Sequence, residues 1–216
     1  DLTGGTGVQL RGSSSATIGN ITASANNVDI VLASGLTGGN VTAANNIMIV
    51  NTSGAVTAGA LSAGNNIAVT NGGAVTLASA AGSDITLAST ANAINVSTVT
   101  ARGALTGTAA TALTLGTATA GSTIALTGQT INATTLTAAT NITGTASGAM
   151  MIGSARVTGG NLTLNAAGAL SVTTGGALGD VRLSSTNSGN ITTGTLTSGS
   201  AFMGGTTGGM QGAGDI

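Results

Sequence analysis

The sequence predicts an all-β protein wound as a parallel β-helix, a β-solenoid with three short strands to a coil, about 19 residues per coil and about eleven coils. Three observations carry that expectation: a repeat of nearly constant length, aliphatic residues at fixed places within it, and a composition that favours strands and turns over helices.

The plainest copy of the repeat is residues 54–72, GAVTAGALSAGNNIAVTNG. Its large aliphatics, Val56, Leu61 and Ile67, stand five and then six residues apart. The same triplet precedes it as Leu36, Val41 and Ile47, and follows it as Val75, Ala80 and Ile85, then Ile94, Val99 and Leu105. It continues as Leu113, Ala118 and Ile124, as Ile131, Leu136 and Ile142, as Ile152, Val157 and Leu162, and as Ile191, Leu196 and Phe202. The first column falls at positions 36, 56, 75, 94, 113, 131 and 152, in steps of 18 to 21 residues.

One coil cannot stand alone. Burying an aliphatic side chain is worth about 1.5–3 kcal/mol, whereas ordering each backbone residue costs about 1–2 kcal/mol, and a coil has only a handful of inward residues. Stacked coils pair their backbones above and below and merge the three columns into one core.

The 216 residues include 37 Gly, no Pro, Cys, His, Trp or Tyr, one Phe, and nine charges, five Asp and four Arg. The strong helix formers Lys and Glu are missing, while Thr, Val and Ile favour strands and Gly and Asn favour turns. Disordered chains are rich in charge and Pro and poor in β-branched residues, the reverse of this one.

Residues 1–34 already keep the period. Val28, Ile30 and Leu32 are expected to point inward, with Asp29 and Val31 outward. An Asn pair precedes that strand in successive coils, Asn26–Asn27, Asn45–Asn46 and Asn65–Asn66, followed by Ser83–Asp84. Asn tolerates left-handed backbone and bonds neighbouring peptide groups, so these are expected at corners, where stacked amides can form a ladder. Ala80 and Ala118 require the core to narrow or to be filled by neighbours. The coil through Leu170, Val172, Gly175, Gly176, Leu178 and Val181 looks irregular and is the expected place for a bulge. A continuous rod is expected over 1–203, with a Gly-rich end or connector over 204–216. Neither end carries an obvious capping element, so continuation in the same polypeptide or end-to-end stacking on another copy is expected. With no initiator Met and no signal peptide or transmembrane span in view, the chain reads as a processed product or a segment of something larger.

No cofactor, metal or catalytic group is expected. His, Cys, Lys, Glu and Tyr are missing, which removes the usual bases, nucleophiles and transition-metal ligands. The Asp residues, at 1, 29, 84, 180 and 215, are scattered over different coils. Asp180 and Arg182 flank Val181 and are expected to pair at the surface; Arg11, Arg102 and Arg156 read as isolated solubilising charges. Gly4-Gly5-Thr6-Gly7 is only a fragment of the calcium-binding nonapeptide. A net charge of −1 offers no field for nucleic acid or anionic lipid, and no membrane insertion is expected. Thr-x-Thr pairs occur at Thr106/Thr108, Thr117/Thr119, Thr135/Thr137 and Thr143/Thr145, with Thr193, Thr195 and Thr197. Such pairs project from one strand face, as an ice-binding β-helix would need. In sequence they do not recur at one phase of the repeat, so ordinary outward Thr is the expectation.

The phrases GNITASANNVDIVLAS, GNVTAANNIMIV and GGNLTLNAAGALSV resemble the shaft repeats of filamentous-haemagglutinin-like adhesins, large bacterial exoproteins of two-partner secretion. The resemblance spans essentially the whole chain and rests on period and composition. It implies a right-handed parallel β-helix exported to the cell surface, serving adhesion, aggregation or biofilm, with a possible host or neighbouring-cell receptor. The family's secretion domain and its Asn-Pro-Asn-Gly motif are not found in these residues, so they would be shaft, with no functional residue to carry over.

Overall fold

The protein is described here by a computed structural model covering residues 1–187, 189–199, 202–206 and 210–212. Alternating inward aliphatics and outward Thr make short strands, and these pair in parallel with the equivalent strand one coil away. The result is a parallel β-solenoid of two sheets, with fourteen and eleven strands among the described residues. The smaller sheet takes one five-residue strand from each coil, from Val8–Gly12 to Phe202–Thr206. Its eleven rungs are separated by ten turns of the chain, about 50 Å of stacking at about 4.8 Å per rung.

Among the described residues up to Ser198, three separate strands per coil occur only at the start, as in Leu36–Gly38, Val41–Ala43 and Ile47–Asn51. From Val56–Ala63 onward the first two fuse into one long strand. The ladder of that strand still skips one residue. Val75, Thr76 and Leu77 pair with Val56, Thr57 and Ala58, and pairing resumes at Ser79 with Ala60, leaving Gly59 and Ala78 unpaired. A one-residue bend therefore joins the first two of the three expected strands, and the first two columns sit on either side of it.

The first column is one continuous file. Leu36, Val56, Val75, Ile94, Leu113 and Ile131 are followed by Met150, Leu170 and Ile191. The second runs Val41, Leu61, Ala80, Val99, Ala118, Leu136, Ala155, Gly175 and Leu196, of which Leu196 is only partly buried. The third runs Ile47, Ile67, Ile85, Leu105, Ile124, Ile142, Leu162 and Val181. Phe202 pairs with Val181 along the backbone, but its side chain lies outside the described residues.

Two expectations are corrected. Ile152 and Val157 are buried but are not column residues, because Met150 and Ala155 hold those places. Residues i and i+2 share a strand face, so either triplet satisfies the alternation. The coil after it is regular: Leu170–Ala177 and Val181–Ser185 keep the ladder without a bulge, and Leu178 lies at a corner, 65% exposed.

The structure also shows how Ala80 and Ala118 are accommodated. Across the bend, the inward pairs in successive coils are Ala58 with Leu61, Leu77 with Ala80, Val96 with Val99, Leu115 with Ala118, Ala133 with Leu136, and Ile152 with Ala155, all buried. Each coil thus holds one large and one small residue, or two of middle size, and the bulk changes sides. The short strands show a related alternation, Leu87, Gly107, Leu126, Gly144 and Leu164 down one file. A Cβ on Gly144 would stand 2.9 Å from Leu164 Cδ2 and 3.1 Å from Met150 Cε, so neighbouring side chains already fill that space.

This packing predicts a compensating swap. Ala118→Leu alone should cost about 1–3 kcal/mol by overpacking, and Leu115→Ala alone about 2–5 kcal/mol by leaving a cavity. The double variant should recover most of both losses, as a denaturant double-mutant cycle would read directly.

Candidate functional site

The polar features of the chain lie at the corners and on the outer faces. At the corner before the short strand, a side-chain oxygen of one coil accepts the backbone N–H of the next. Asn27 Oδ1 takes the Asn46 N–H at 3.1 Å, Asn46 Oδ1 the Asn66 N–H at 3.0 Å, Asn66 Oδ1 the Asp84 N–H at 3.1 Å, and Asp84 Oδ1 the Ala104 N–H at 2.8 Å. The series resumes with Asn141 to Asn161 at 2.9 Å and Asn161 to Asp180 at 2.7 Å. Of the six predicted corner residues, Asn27, Asn46 and Asn66 therefore bond across coils through their oxygens. Asn45 donates from its side-chain amide to Asn26 Oδ1 at 3.3 Å, and Asn65 contributes only its backbone. These are structural corners, each oxygen holding an N–H that the turn would leave without a strand partner.

Sequence reading missed two further polar files. Asp1, Asn20 and Asn40 do the same service at the bend, accepting the N–H groups of Asn20, Asn40 and Ala60 at 2.6, 3.0 and 2.9 Å. The signal was present: each residue precedes a large aliphatic and then a Thr, with Ile21 and Val41 buried and Leu2, in the first rung, exposed. At the end of the short strand, Asn51 and Asn71 are buried, and Asn51 Nδ2 donates to Asn71 Oδ1 at 2.8 Å. Asn51 Oδ1 has no hydrogen-bond partner among the described residues. After Leu32 their file holds only small or polar residues, with Ser89 and Ser185 buried as well, and nothing in the sequence but its phase marks it.

Among the described residues the charged groups do not converge. Arg182 and Asp180 form a surface ion pair at 2.9 Å, and Arg102 bonds Ser83 Oγ at 2.9 Å and the Gly64 carbonyl. Among the described residues no cluster of three or more His, Cys, Asp or Glu is placed to hold a metal ion.

The outward threonines are better ordered than the sequence suggested. Thr98, Thr117 and Thr135 stack in one file of the long strands, and Thr100, Thr119 and Thr137 in the file beside it. Thr106/Thr108 and Thr143/Thr145 belong to the other sheet. The pairs keep no single phase, as expected, but they fall into two sets on two faces, each in register, that interleave along the chain. Thr195 and Thr197 return to the long-strand files beyond Ser154, Arg156, Thr174 and Gly176.

No protein-family model, no curated protein and no solved structure matches the chain.

The corner ladder predicts a contrast between adjacent residues. Asn66→Ala should lower unfolding free energy by about 0.5–1.5 kcal/mol by removing the partner of the Asp84 N–H. Asn65→Ala, which removes no side-chain hydrogen bond, should leave the denaturation midpoint almost unchanged.

Proposed function

We propose that this chain is a structural rod: a segment of the shaft of a bacterial surface adhesin, or the subunit of an extracellular filament, supporting adhesion or biofilm. The observation that carries the reading is the continuity of one register. Equivalent strands pair from Val8–Gly12 through to Phe202–Thr206 without a change of partner order. Each rung is held to its neighbours by backbone bonds and by a shared aliphatic core, which resists bending and shear along its whole length. The corner oxygens add bonds that also run along the axis. The likeness of its phrases to adhesin shaft repeats supports the same reading and an extracellular or cell-surface location.

In this role the chain is not an enzyme and needs no cofactor. Its partners are further coils, of the same polypeptide or of a second copy, together with a receptor on a host or neighbouring cell. It neither binds nucleic acid nor inserts in a membrane.

Electron microscopy of the purified chain should show thin rods or fibres, and aligned fibres should diffract with an axial spacing of about 4.8 Å. Compact globules without that spacing would overturn the proposal.

A further inference from the structure

We propose that the threonine face of the long strands between residues 98 and 137 binds ice, by ordering water in register with a crystal plane. This goes beyond the rod reading and does not depend on it.

Six residues make the patch: Thr98 and Thr100, Thr117 and Thr119, Thr135 and Thr137, in three consecutive rungs with direct register between them. Their spacing is set by the backbone. Adjacent rungs lie about 4.8 Å apart, and residues two apart on a strand lie about 6.6 Å apart. That rectangular grid is close to the oxygen repeat on a prism face of hexagonal ice. The residues between them, Val99, Ala118 and Leu136, are fully buried and fix the strands from below.

Rigidity matters because a lattice is recognised only by groups that keep their places. Threonine is β-branched, so few χ1 states are open to it on a strand, and each residue presents one hydroxyl and one methyl. Thr98, Thr100, Thr117 and Thr119 are exposed, and Thr135 and Thr137 half-exposed. Among the described residues, none of the six hydroxyls is engaged with another protein group. They are free to anchor water while the methyls shape it.

The surroundings disfavour other ligands. The two files hold no charge over these rungs, and Ala60, Ser79, Ser62 and Ala81 extend them on the earlier side. Arg156, next after Thr137 in its file, ends the patch on the later side. No aromatic residue stands on this face to stack a sugar or anchor a protein partner. What the patch offers is a flat, neutral grid with alternating polar and apolar points.

The test is ice-crystal growth in solutions of the purified chain. The wild type should hold a gap between melting and growth temperatures, facet the crystals, and, when fluorescently labelled, adsorb to prism planes of a single-crystal hemisphere. The double variant Thr117→Lys, Thr119→Lys should lose all three effects while keeping the wild-type circular dichroism spectrum, since both side chains point outward. Thr127→Lys, on the face of the short strands, should retain them. A wild type that neither facets crystals nor adsorbs to ice would overturn the proposal. So would equal loss in the Thr127→Lys control, or light scattering showing that the threonine face is buried between two copies.

Discussion

The constraint on which the structure depends is the fixed rise between hydrogen-bonded coils. Every rung must sit about 4.8 Å from the next, and at that distance a side chain meets its counterpart above and below. Like residues can stack only if the file has room for all of them. The core meets this condition by moving bulk from side to side: Leu115 with Ala118 in one coil is answered by Ala133 with Leu136 in the next. Neither file is uniform, yet the summed volume across the bend stays nearly level, while the short-strand file balances Leu126 against Gly144 between one coil and the next, so that the interior remains close-packed.

The same rise governs the corners. A turn between strands leaves peptide N–H groups without a sheet partner, and a short side chain with an oxygen one coil away is at the right distance to accept them. Asn, with a carbonyl on a single methylene, does this at several corners, and Asp84 and Asp180 stand in the same file. The Asp84 carboxylate accepts the Ala104 N–H there, and Asp1 the Asn20 N–H in its own file, whereas Asp180 joins the ladder through its backbone N–H and turns its carboxylate to Arg182.

Much of this was legible in the sequence, for identifiable reasons. The period, the parallel winding and the inward columns follow from aliphatic spacing, because a coil of constant length leaves a periodic trace. What stayed hidden is what alternation alone cannot separate. Ile152 and Met150 are two residues apart and face the same way, so the larger β-branched residue looked like the column member although Met150 occupies the file. The fused long strand escaped notice because a one-residue bend and a short loop have similar spacing. The threonine files were obscured by reading two faces as one series, and the buried Asn51 and Asn71 by the absence of any local cue.

The sharing of bulk across the bend bears on how such a chain can change in length. Across the bend each winding balances its own volume, but in the short-strand file Leu87, Gly107, Leu126, Gly144 and Leu164 balance only between one winding and the next. Gene duplication or excision of two successive windings there would leave a junction that already fits, whereas loss of one would set Leu126 against Leu164, or Gly107 against Gly144. The modular unit open to natural variation in that stretch is therefore the pair of turns, and lineages of such rods can drift in span by pairs while the cross-section stays fixed.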